Sequence, residues 1–119
     1  MGMTNVKLQI KNLYDPEKIY TGDFLVDSGA HFTVLPEEIW KKLGLKSDGE
    51  RSFSLADGKI VTRKMSSAFV KYDDEQVATP VVLGNKTDSP LLGVLVLEAM
   101  GLMLDPFQRK IYKSKLMLA

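Results

Sequence analysis

The 119-residue chain is predicted to fold as a small, mostly β domain, a sandwich or closed barrel with two short helices. Three observations predict it. Most of the sequence falls into short runs that alternate apolar and polar residues or are rich in β-branched and aromatic ones. Turn signals such as Asp-Pro and Asp-Gly separate these runs at short intervals. Two stretches carry helical patterning, and both are short. A length of 119 residues suits one domain, and 45% apolar residues suffice for a real core.

In chain order, VKLQI (6–10) alternates and reads as a half-buried strand. NLYDPEK is a turn marked by Asp15-Pro16, and IYTGDFLVD (19–27) resumes strand character. HFTVL (31–35) is strand-like again. The period then changes. In PEEIWKKLG, Pro36 suits a first helical position, Glu37 and Glu38 the first turn, Lys41 and Lys42 the last, and Gly44 a left-handed cap. Ile39, Trp40 and Leu43 would be its buried face, with Trp40 serving in packing. RSFSLADGKIVTRKM reads as a hairpin whose two-residue turn is Asp57-Gly58, with a second arm running on through SSAFVKY. DDE (73–75) turns the chain into QVATPVVLG, where Pro80 requires an edge or a bulge. NKTDSP (85–90) is a loop. LLG opens a buried strand broken at Gly93, VLVLEAM allows one to two helical turns capped by Gly101, and Asp105-Pro106 precedes a last strand in RKIYKSKLML. The total is seven or eight strands. An apolar run, a glycine and a short helix ending in LGL or MGL occur twice, a faint sign of two related halves.

Composition excludes several functions. Net charge is +1, so no strong pull toward nucleic acid or membranes is implied, and Arg109, Lys110, Lys113 and Lys115 read as a solvated strand face. The absence of cysteine excludes disulfides, thiolate metal sites and cysteine nucleophiles, and it fits a reducing, cytoplasmic setting. A single histidine, His31, cannot make a histidine-rich metal site, so no metal and no cofactor are expected. The N-terminus has no apolar h-region, Val6 breaks the myristoylation pattern, and no run is long enough to span a bilayer.

FLVDSGAHFTVLP (24–36) carries the candidate chemistry. It drives an apolar strand into Asp27 and then turns at Ser28-Gly29. A carboxylate leaving a hydrophobic strand is costly unless compensated. It either caps a turn or does chemistry.

LVDSGAHFTVLP, then LADGK, then LLGVLVLEAMGLMLDP resembles the retropepsin-like (clan AA) single-domain aspartic proteases, with the small prokaryotic aspartyl proteases as the nearest pattern. The resemblance covers roughly residues 6–112 and implies one domain over 1–119, with a closed barrel-like acid-protease fold and a hairpin flap. It also implies an aspartic endopeptidase acting on peptides or proteins. Such an enzyme activates water between two carboxyl groups that share one proton. This chain has one Asp-Ser-Gly box. Asp57 belongs to a turn, and Pro106 follows Asp105 where Ser and Gly are needed. The resemblance therefore implies a homodimer with one Asp27 from each chain.

By the same resemblance, Asp27 is the shared acid/base and Ser28 bonds across the dimer axis. Gly29 lets its N–H approach the carboxylates, and Ala30 floors the site. Ala56, Asp57, Gly58 and Lys59 form the flap tip, and Gly93 lets its strand pass under the active-site loop. Departures from the family pattern are His31, expected to cover a sheet edge or else to tune the pH response, and a flap tip without an aromatic residue. KIYKSKLMLA is a candidate dimer strand. A non-catalytic dimer that binds extended peptides on the same fold is the alternative.

Overall fold

The computed structural model describes residues 4–114 and 118. Its strands are β1 (Asn5–Lys11), β2 (Ile19–Val26), β3 (Thr33–Leu35), β4 (Gly49–Ser54), β5 (Ile60–Tyr72), β6 (Glu75–Leu83), β7 (Leu91–Leu92), β8 (Leu102–Asp105) and β9 (Lys110–Lys113). Two helices join them, α1 (Glu37–Lys42) and α2 (Val94–Met100).

Alternation sets the faces. Leu8 and Ile10 of β1, and Phe24 and Val26 of β2, point into the core, while the residues between them are more exposed. Ile39 and Leu43 near α1, and Val96, Leu97 and Met100 of α2, cover the same core. Trp40 packs against it and donates its indole N–H to the Gly84 carbonyl at 2.7 Å, which explains how so short a helix is held.

Seven strands run in the order β1-β2-β7-β3-β6-β5-β4, and a further pairing of β1 with β5 closes six of them into a ring. β5 makes this possible by its length. Residues 69–71 pair with β1, residues 64–72 with β6, and residues 60–65 with β4. The β4–β5 hairpin therefore projects from the barrel. β2 and β7 lie parallel, with Leu25 opposite Leu91 and Val26 opposite Leu92. This register puts the residue after each strand, Asp27 and Gly93, side by side.

The expected elements are present, with four differences. First, His31 and Phe32 are not in a strand. The carbonyl of His31 accepts the N–H of Leu95, so β3 begins at Thr33. Second, the Asp57-Gly58 turn is a longer loop. Ala56 and Asp57 are the corners of a turn closed by Gly58 N–H to the Leu55 carbonyl, and Gly58 follows at φ +87°. The Asp57 carboxylate accepts the Lys59 N–H at 2.9 Å, which favours this form over a two-residue turn needing two positive φ angles. Third, residues 102–105 are a strand, β8, which pairs with β9 in a separate two-stranded sheet. Fourth, the last strand ends at Lys113; residues 115–117 and 119 of the expected dimer strand lie outside the described residues. Pro80 sits where expected, because the pairing of β6 with β3 starts one residue later, at Val81. Among the described residues no helix is long and apolar enough to cross a membrane.

Candidate active site

Asp27 leaves β2 where the core ends. Its N–H is held by the Leu92 carbonyl at 3.2 Å, and its own carbonyl accepts the Ala30 N–H at 3.1 Å. One carboxylate oxygen, Oδ1, accepts the Gly29 N–H at 2.9 Å. Among the described residues nothing donates to Oδ2. The backbone turn thus fixes the carboxylate and leaves one oxygen available.

Gly29 and Gly93 serve different steric needs. A Cβ at Gly29 would stand 3.2 Å from Asp27 Oδ1, tight against the carboxylate. One at Gly93 would stand 2.4 Å from the Phe32 carbonyl carbon and 2.6 Å from the His31 oxygen, which backbone cannot yield. Here β7 passes directly under the Asp27 loop. The crossing is fastened by three bonds: Val94 N–H to the Ala30 carbonyl (2.8 Å), Leu95 N–H to that of His31 (3.0 Å), and Gly93 N–H to Thr33 Oγ1 (3.1 Å). Thr33 is fully buried and accepts the last of these. Its role was not legible beforehand, because a threonine in a β-branched run reads as an ordinary strand residue.

A cleft of about 560 Å³ opens beside Asp27 and is bounded by the flap arms. Asp27, Gly29 and Ala30 line one side and Ser54, Leu55 and Ala56 the other. Asp57, Gly58 and Lys59 lie beyond the cleft, exposed at the flap tip, and Ser28 is exposed outside it. Of the site residues expected from the sequence, Asp27, Gly29, Ala30 and Ala56 therefore converge on the cleft, and Ser28, Asp57, Gly58 and Lys59 lie outside its lining. His31 lines the cleft instead of covering a sheet edge, and its ring stands edge-on to Phe32, centroids 4.8 Å apart. Phe32 meets Phe53 of the flap in the same manner at 6.2 Å, and the Arg51 guanidinium lies over the Phe32 ring at 5.6 Å.

The sequence reading also missed Arg63 and Asp88, both in the cleft wall. Arg63 Nε donates to Asp88 Oδ2 at 2.9 Å and a terminal nitrogen reaches Oδ1 at 3.4 Å. Burial tends to raise the Asp88 carboxyl pKa. The hydrogen bond from Arg63, the Asn85 N–H and the Arg63 charge outweigh that and hold it below its ordinary value. Among the described residues no cluster of His, Asp and Glu is placed to hold a metal.

The family model for aspartyl proteases matches residues 7–96. No curated protein matches the chain in sequence. Of the solved structures, EIAV protease complexed with the inhibitor HBY-793 is similar at a TM-score of 0.64, covering 98% of this chain and 94% of that chain at 16% identity. At that identity the likeness speaks for the fold. With well over half its length matched by the family model, the chain belongs to the aspartyl protease family and is a retropepsin-like aspartic endopeptidase.

Proposed function

We propose that the chain works as one retropepsin-like domain that hydrolyses peptide bonds as a homodimer, with the two Asp27 carboxyl groups meeting on a two-fold axis. One observation carries this reading. Two carboxylates line the cleft, Asp27 and Asp88, and Asp88 is taken up by Arg63 and the Asn85 N–H. A dyad partner for Asp27 must then come from a second copy.

In the dyad, one carboxyl group is protonated and its mate ionised, since two so close cannot both carry charge. The ionised Asp27 takes a proton from a water held between them, and the water oxygen attacks the peptide carbonyl carbon. The protonated Asp27 stabilises the developing oxyanion and the leaving nitrogen is then protonated. Gly29 N–H on Oδ1 holds each carboxylate in plane. Ser28, exposed next to it, faces outward where a mate would stand. Ala30 is the floor. The tip formed by Ala56, Asp57, Gly58 and Lys59 closes over substrate, a movement that would cover the exposed apolar residues Leu55 and Ile60.

The test is a peptide-library digest from roughly pH 4 to pH 7, with wild type and Asp27→Asn compared and sedimentation run alongside. Cleavage by the wild type alone, from a dimer, is expected. A cleaving monomer would remove the shared dyad. Peptide binding with no cleavage by either protein would instead make the chain a binding module.

A further inference from the structure

The wall of the cleft contains a device that the dyad does not use. Arg63 projects from β5, the second flap arm, and Asp88 from the 85–90 loop that leads into β7. That loop is internally braced. Asn85 Oδ1 accepts the N–H groups of Thr87 and Asp88, Asp88 Oδ2 accepts that of Asn85, and Trp40 holds the Gly84 carbonyl. Gly84 makes room for the carboxylate, since a Cβ there would lie 2.9 Å from Asp88 Oδ2.

The hydrogen-bond inventory is unequal. Asp88 accepts three bonds, two from Arg63 and one from Asn85. The guanidinium has five N–H groups. Nε and one terminal N–H go to Asp88 and another to the Thr62 carbonyl, which leaves two without a partner among the described residues. The Arg63 side chain is only 21% exposed, and besides Ser89 the cleft lining includes the apolar Val34, Val61, Val82 and Leu91. Donors held rigidly beside apolar surface favour a side chain with a hydrocarbon body and an acceptor at its end.

We infer that Arg63, oriented by Asp88, is a specificity-determining residue that selects substrate side chains ending in a neutral acceptor, a phenol or a carboxamide, over their apolar isosteres. The inference rests on the reading that this cleft takes a peptide. Recognition of this kind discriminates because an unmatched partner leaves charged donors desolvated.

The experiment exchanges Phe for Tyr and Leu for Gln, one position at a time, in short peptides presented to the full chain. At one position, kcat/KM is expected to favour Tyr and Gln by about tenfold, the scale of a hydrogen bond to a charged group. In Arg63→Met both ratios are expected to fall to about 1, with Arg63→Lys in between because it lacks the planar fork. A purely structural Arg63 would lower both members of each pair equally, and unchanged ratios in Arg63→Met would overturn the inference. If that variant fails to fold, the wild-type ratios decide, since values near 1 at every position also overturn it. The same pairs are measured for binding to Asp27→Asn by fluorescence anisotropy. A preference in binding without wild-type cleavage would preserve the subsite and sink the hydrolytic reading. Cleavage without preference would do the reverse.

Discussion

The two oxygens of the Asp27 carboxylate have different surroundings. Oδ1 takes the Gly29 N–H, as any turn-capping aspartate does, while nothing described donates to Oδ2. Capping and the proposed chemistry are thus compatible uses of one side chain. Asp27→Asn keeps an acceptor for Gly29 and removes the acid. Peptide cleavage is expected to fall by at least about 100-fold to 10,000-fold, the range for loss of a general acid/base, with the melting temperature little changed. Gly93 makes a sharper steric case. Its missing Cβ would collide with the backbone of His31 and Phe32. Gly93→Ala should destabilise by about 1–3 kcal/mol, the scale of overpacking, as read by urea denaturation. Asp88 adds a pH signature. Its carboxyl pKa is depressed in the folded protein from a reference of 3.8, so the Arg63 bond stabilises fully above that pH. The contribution is lost as pH falls through the lower folded value. The stability gap between wild type and Asp88→Asn, roughly 0.2–1 kcal/mol for a single partly exposed pair, should therefore close below about pH 3.8 in thermal melts. Asp27, Gly29 and Gly93 were legible in the sequence because each sits in a short contiguous motif, the Asp-Ser-Gly box or LLG, although the backbone that crowds Gly93 belongs to the distant His31-Phe32 segment. Thr33, Arg63 and Asp88 were not, because their partners lie 60 and 25 residues away.

At the scale of elements, strands and helices followed from period and capping. Gly44 and Gly101 adopt the left-handed φ of +66° and +70° that their places after LGL-type and MGL-type helices predicted. The misses have a common cause, competition between local pattern and distant bonding. HFTVL reads as a strand throughout, yet the His31 carbonyl is taken by the Leu95 N–H of α2, so the ladder starts only at Thr33. The sequence assigns no element to LML after the Gly101 cap, and β9 supplies the ladder that makes it a strand. In the flap, the pattern gave the hairpin but not its loop. Gly58 has open space where a Cβ would go, so its need is for φ +87° alone. Gly58→Ala should therefore cost about 1–2 kcal/mol of left-handed strain in the loop. The tip projects beyond the barrel, so KM for peptide should rise while the global unfolding midpoint moves little. An unaltered KM would show that the tip conformation is not part of substrate closure.

The whole molecule sets two similar stretches side by side. β2 and β7 run parallel in one ring; β2 leads through the Asp27 turn and β3 to α1, β7 leads through Gly93 directly into α2, and the positions after the two strands hold Asp27 and Gly93. The internal echo in the sequence is thus a real adjacency in space. The second half cannot supply a carboxylate, and a side chain at Gly93 would not fit. Asp88 is bound by Arg63. In the proposed mechanism one chain presents half of a dyad on a closed barrel, and a second copy would supply the other half. Mixing tests this directly. When wild type and Asp27→Asn are combined in equal amounts and allowed to exchange subunits, random pairing leaves about a quarter of dimers with two aspartates. Activity per total dimer should fall to that fraction, because a mixed dimer has one carboxylate and cannot share a proton. A fall to one half would mean that each subunit works alone, and the dyad would have to be sought within a single chain.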